Sequence, residues 1–321
     1  MSKRGWILLL SVGVIWGIPY LLIKIAVGEV SPATVVFVRT GLGALLLLPF
    51  ALRSGGVRVL RAHWRPLLAF AALEIIGPWI LLSNAETTLA SSTTGLLIAT
   101  VPIIAVVLGR LVGDRRPVAA VRWIGLLVGL LGVGLLLGPG ESSGGSPWSV
   151  AQVLLAAVGY ASAPMIADLF LRDVPAIPLT ATCLGVTALF YLPVVLVTGP
   201  HPMPALDGVL ALVALGAVCT ALAFVLFFRL IVEVGAARST LVAYLNPVVA
   251  VALGALVLDE AVTIAVVAAT ALILVGSAAA SRRSLDPDAG ARTDHAPARA
   301  SDAELMDVDD LAVPADGVPP A

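Results

Sequence analysis

Apolar residues in this chain come in long blocks, not in the strict alternation of half-buried strands or the three-and-four spacing of surface helices. Blocks at about 5–27, 33–52, 66–84, 91–112 and 121–138 lead to a short polar stretch, and five more follow at about 149–170, 178–198, 208–231, 236–258 and 261–280. Each has roughly the 20 residues that carry a helix across a bilayer core. The pattern predicts an all-α polytopic membrane protein with ten transmembrane helices. The first block is retained as a helix, since a signal peptide has a shorter apolar core and a polar mature chain behind it.

A repeat divides the ten. Ser91 to Arg116, SSTTGLLIATVPIIAVVLGRLVGDRR, is matched by Gly235 to Glu260, GAARSTLVAYLNPVVAVALGALVLDE, and Pro102 and Pro247 stand 145 positions apart. Proline-interrupted segments at corresponding places of two halves point to a transporter binding site. With five helices per half, the second copy enters the membrane from the opposite face, so the repeats are inverted. The predicted organisation is a first five-helix repeat over 5–138, a Gly/Ser/Pro-rich linker over 139–148 and a second five-helix repeat over 149–280. Residues 281–321 are rich in Asp, Ala and Pro, and read as a disordered acidic tail that cannot bury enough apolar surface to offset its chain entropy.

Composition agrees: 60% of residues are hydrophobic and 12% charged, with a mean hydropathy of +1.05, far from a soluble domain. The net charge of -1 matters less than where the charges lie. With the first residue on the cytoplasmic side, Lys3, Arg4, Arg53, Arg58, Arg61, Arg65, Arg110, Arg115, Arg116, Arg122, Arg172, Arg229, Arg238, Arg282 and Arg283 all fall inside. The outer loops carry Glu29, Glu86, Glu141, Asp207, Asp259 and Glu260 and no basic residue. Loop Lys and Arg set orientation, so both termini are expected in the cytoplasm. Cys183 and Cys219 sit inside apolar blocks, as packing residues, with no disulfide framework. His63, His201 and His295 are scattered, and no metal-ligand spacing, P-loop or serine-histidine-acid set occurs. No metal, cofactor or nucleic-acid partner is expected, and a nucleotide-driven pump is excluded.

Ile15-Trp16-Gly17, Lys24, Ser31-Pro32 and Phe37-Val38-Arg39 resemble the opening of the EamA group of the drug/metabolite transporter superfamily. Tyr244-Leu245-Asn246-Pro247 and Leu258-Asp259-Glu260 are similar to its second repeat core; in the first copy the acid, Asp114, comes one residue early. Trp123 to Gly138 resembles its glycine-rich fifth helix, and Tyr160-Ala161 matches Trp16-Gly17 in the second half. The resemblance implies a carrier of the bacterial inner membrane, working by alternating access around a central cavity and moving amino acids, other small metabolites or drugs, often outward. An integral membrane enzyme, or a receptor-like protein without transport activity, is the alternative from another class.

The candidates for the substrate or ion pathway are Trp16, Lys24, Arg39, Glu74, Asn84, Thr100, Pro102, Tyr160, Tyr244, Asn246 and Pro247. Arg39 and Glu74 stand about 9 Å and about 12 Å into their helices from opposite ends, within reach of each other. Ionisable groups so deep usually face a protein interior or a water cavity, and the pair reads equally as a static ion pair or as a proton or substrate site. Lys24 is either a side chain reaching the interface or a partner for an anionic substrate group. The two prolines serve as packing kinks or as cavity-lining hinges. Asp168 and Arg172 have the spacing of a helical ion pair. Gly125, Gly129, Gly134 and Gly138 form a small-residue face that would pair the fifth and tenth helices or support a homodimer.

Overall fold

Proline 19 sets the first departure from a straight helix. Its ring removes a backbone donor and crowds the preceding turn, so the helix Lys3–Gly17 stops and a second one, Pro19–Val27, begins after Ile18. The computed structural model describes residues 1–53, 57–113, 120–136, 146–198 and 203–280. Asp114, most of the linker at 139–148, Gly138 and the tail at 281–321 lie outside the described residues.

Among the described residues all regular structure is helical. Seven helices are long and apolar enough to cross a membrane: α1 (Lys3–Val27), α2 (Pro32–Arg53), α3 (Trp64–Ala85), α4 (Ser91–Leu111), then α6 (Pro147–Phe170), α7 (Ala176–Thr198) and α8 (Leu206–Val234). Three more are apolar but shorter: α5 (Ala120–Leu136), α9 (Val242–Val257) and α10 (Ile264–Ala280). Short helices Val57–Ala62 and Ala236–Ser239 precede α3 and α9.

The repeat prolines act differently. In α4 the helix breaks at Ala99 and Thr100, and Pro102 falls in the first turn of the new segment Val101–Leu111, where its missing donor costs nothing. Thr100 secures the break by donating its hydroxyl to the Leu97 carbonyl at 2.6 Å. Pro247 instead lies inside the unbroken α9, and the interruption in that copy comes earlier, at Thr240 and Leu241. The expected pair of matching kinks is therefore one break and one embedded proline.

Wider turns mark α3 and α8. Residues Ala72–Ile76 and Ala217–Leu222 are π-helical, each an inserted residue that displaces a carbonyl from the normal ladder. Side-chain hydroxyls accept the consequence: Tyr191 donates to the Ile76 carbonyl at 2.9 Å, and Thr220 donates to the Leu215 carbonyl at 2.8 Å.

Packing maps onto itself when the halves are exchanged. Helix α2 packs on α7 and α5 on α10; α1 meets α8 and α9, and correspondingly α6 meets α3 and α4. The α5–α10 contact is backbone against backbone. A Cβ at Gly125 would lie 2.7 Å from the Gly276 carbonyl oxygen, and one at Gly132 would lie 3.0 Å from the Ala269 carbonyl oxygen. Gly134 faces open space and takes no part. The expected Asp168–Arg172 pair does not form, because α6 ends at Phe170 and Arg172 has left the helix.

Candidate functional site

Where the two halves meet, the bundle forms a cavity of about 320 Å³. Its walls come from positions that correspond in the repeat. Pro102 and Pro247 both line it, as do Glu74 and Cys219 from the two π-helical turns and Trp79 and Phe224 just beyond them, each pair 145 positions apart. Trp16 and Tyr160, matched in the two halves, also line it. The π-turns matter here because an extra residue rotates the following turn and so directs Glu74 and Cys219 inward.

Arg39 supplies the cavity's cationic group. It is buried, its guanidinium lies 3.7 Å from the centre of the Trp79 ring, and its Nε donates to the Thr220 hydroxyl at 3.0 Å. A desolvated guanidinium over an indole face is held by the ring quadrupole, worth about 2 kcal/mol. Arg39 and Glu74 line the same cavity but form no ion pair with each other. The static-pair reading therefore does not describe this geometry: the guanidinium is committed to Trp79 and Thr220, and the Glu74 carboxyl remains in the cavity wall.

Aromatic rings close the rest. Trp16 packs on Phe224 and Phe227 with centroids 5.8 and 4.6 Å apart. Asn246, its amide oriented by its acceptors, donates to the carbonyls of Gly13 at 3.1 Å and Val242 at 3.0 Å, joining α9 to α1. The Tyr244 hydroxyl reaches the Ser277 carbonyl at 3.4 Å. A cavity walled by aromatics with one cation and one carboxyl is suited to hold and orient a small molecule with polar ends.

The sequence profile described as the EamA-like transporter family matches residues 3–138 and again residues 147–282. The chain belongs to the EamA-like transporter family. It is similar to the uncharacterized inner membrane transporter YedA of Escherichia coli (strain K12), 28% identical over 258 residues that cover 77% of this chain and 80% of that protein. It is also similar to the uncharacterized transporter YoaV of Bacillus subtilis (strain 168), 22% identical over 273 residues, covering 84% and 93%. A solved structure titled "Crystal structure of protein" superposes with a TM-score of 0.63 at 22% identity, covering 88% of this chain and 97% of that one, which shows the shared fold. The protein is thus a multi-pass membrane transporter of the drug/metabolite kind, located in the cell membrane.

Eight sequence candidates of this EamA-like transporter line the cavity: Trp16, Arg39, Glu74, Pro102, Tyr160, Tyr244, Asn246 and Pro247. Three do not. Asn84 is exposed near the end of α3, and Thr100 is turned back onto its own helix. Lys24 donates to the carbonyls of Glu86 and Leu89, both at 2.8 Å, neutralising the carbonyl end of α3. Two acids that the sequence places in loops belong to the same end of the bundle. Glu260 reaches across the halves to accept from the backbone N–H groups of Ser91 at 2.7 Å and Ser92 at 3.0 Å. It thereby caps α4, whose own N-cap, Ala90, has no side chain able to do so. Asp259, at φ 52°, makes the reversal that aims Glu260, and Gly254 leaves room for it: a Cβ there would lie 3.0 Å from Ser91 Oγ. Glu86, one residue past α3, has no exposed surface and no hydrogen-bond partner on either carboxylate oxygen. Burial pushes its carboxyl well above the usual carboxylate range; Lys24 pulls it down, Glu260 pushes it up and Arg39 pulls it down.

Proposed function

We propose that the protein is a secondary exporter of small metabolites, amino acids, related metabolites or drugs, that works by alternating access around the cavity between its halves. Ten spans in two inverted repeats fit the packing symmetry, with α5 and α10 of 17 residues and α9 of 16 completing the set: at about 24–25 Å they stand at the short end of what crosses a bilayer core. The repeats run over 5–138 and 149–280, joined by an outer linker at 139–148 and followed by a cytoplasmic tail at 281–321. Basic side chains at the ends of α1, α2, α6 and α8 support a cytoplasmic side there by the positive-inside rule, and Glu29, Glu86 and Glu260 lie toward the other, outer side in this reading.

The observation that carries this reading is the cavity itself, about 320 Å³, walled by corresponding positions of both repeats and holding Arg39 and Glu74 unpaired with one another. A site at the repeat interface is where rocking of one half against the other exposes a ligand to alternate sides. Arg39 serves an anionic end of the substrate. Glu74 takes either a cationic end or the coupling proton, since an unpaired carboxyl at that depth is costly to keep ionised.

Comparing extracellular and intracellular metabolites between deletion and overexpressing cells tests the reading. One small metabolite class should accumulate inside the deletion strain and outside the overexpressing one. Its efflux should be reproduced in proteoliposomes with the purified protein. Identical metabolite profiles, or purified protein that moves none of the compounds that differ, would sink it.

A further inference from the structure

Glu86 is the polar group that the cavity does not use. Its carboxyl has no exposed surface, and neither oxygen has a partner. Five residues on, Ser91 Oγ is buried and also without a partner. Lys24 is close enough to bond the Glu86 backbone carbonyl at 2.8 Å, yet its amine is committed there and to Leu89, and makes no ion pair with the carboxylate. An isolated carboxylate in such a place is strongly disfavoured, whereas a neutral carboxyl is tolerated.

The segment around Glu86 is where three parts of the chain meet. Lys24 ties the second half of α1 to the Glu86–Leu89 segment, and Glu260 ties the end of α9 to Ser91 and Ser92. In the register that matches Trp16 with Tyr160, Lys24 corresponds to Asp168, while at 145 positions Glu86 and Ser91 correspond to Ile231 and Ala236, so the Glu86 carboxyl has no acidic counterpart in the other half. The charged and titratable groups that act on Glu86 are Lys24 and Tyr20 of α1, Arg39 of α2 and Glu260 behind α9. Tyr20 also lines the central cavity, which puts Glu86 between the cavity and the outer surface.

We propose that Glu86 is a proton-binding site that latches the outer end of the carrier: protonated, it stays buried with α1, the Glu86–Leu89 segment and the Glu260 cap drawn together. The inference rests on the carrier reading and its orientation. When the proton leaves to water entering from the outer side, the carboxylate requires a partner. It finds that partner in the entering water, and the Glu86–Leu89 segment moves outward with it, off the Lys24 ammonium, which releases the tie between α1 and this segment. Protons outside thus close the outer end, the sign required of a carrier that takes up a proton from outside after releasing its cargo there.

Spin labels read the latch without any substrate. In full-length protein in lipid nanodiscs, with Cys183→Ala and Cys219→Ala, nitroxides at Gly28→Cys and Thr87→Cys report the separation of the exposed end of α1 from the segment after α3. Dipolar EPR between pH 5 and 9 should show one short separation at low pH. A longer one should grow from a minor population, under about one-tenth, to the major one as pH rises. Glu86→Gln should hold the short separation throughout, Glu86→Asp should keep the transition with a moved midpoint, and Glu74→Gln should keep it unchanged. A distribution that ignores pH overturns the proposal, and so does a transition that survives Glu86→Gln. Failure of Glu86→Gln to fold overturns it too, because the amide copies the neutral form. If instead the pH transition appears but no metabolite is moved, the carrier reading fails and the latch stands.

Discussion

At the scale of single residues, the cavity's ionisable groups are independent of one another. Arg39 bonds Thr220 and stacks on Trp79, so removing Glu74 leaves its partners in place. In a double-mutant cycle of Arg39→Gln and Glu74→Gln, read by thermal unfolding in detergent, the coupling should be below about 0.5 kcal/mol. A static ion pair would give several times that, with the double variant more stable than either single one. Glu86 carries a prediction of the opposite kind. Its carboxyl is held above the ordinary range by burial, so the folded protein binds this proton more tightly than the unfolded chain does. The stability it contributes is complete below the unfolded carboxylate pKa and is lost as pH rises through the folded value. Melting temperature should therefore fall over that interval in the native protein, and Glu86→Gln should flatten the fall.

At the scale of elements, two devices position the site. Glycine lets α5 and α10 approach until backbone touches backbone, which fixes the scaffold beside α4 and α9. A Cβ at Gly276 would run into the backbone of Gly125 and Gly129, whereas Gly134 faces open space. Gly276→Leu should cost about 1–3 kcal/mol of stability or more by overpacking, and Gly134→Leu should be neutral, as measured by thermal unfolding of the two variants side by side. The π-turns of α3 and α8 are the second device. They direct Glu74 and Cys219 into the cavity and are held by the Tyr191 and Thr220 hydroxyls.

For the whole molecule, the arrangement stands on the packing of like against like: α2 on α7, α5 on α10, and reciprocal contacts of α1 and α6 with the other half. A duplication accounts for that symmetry, and the inverted ten-span arrangement proposed above fixes which loops share a side. Single cysteines at Ser142 and Arg58, in a chain without Cys183 and Cys219, should be labelled by an impermeant maleimide from opposite faces of the membrane. Labelling of both from one face would require a different number of crossings.

The sequence by itself determined the class of protein and the outline of its path. Apolar block length and the 145-residue repeat are one-dimensional properties, and bilayer thickness converts block length directly into helices. Eight of the cavity residues were legible, Pro102 and Pro247 for a related reason: a duplicated chain marks its shared axis by what recurs. What the tertiary structure decided is which polar groups meet. The sequence shows Arg39 and Glu74 within reach, but not that Trp79 and Thr220 claim the guanidinium first. It shows Lys24, Glu86 and Glu260 as three charges at loop edges. Only folding brings an acid from the second half onto the N-terminus of α4, 169 positions away, turns the lysine to backbone carbonyls and leaves Glu86 enclosed. Partner choice among buried polar groups depends on distances of a few ångströms between segments far apart in the chain, and no local pattern encodes them.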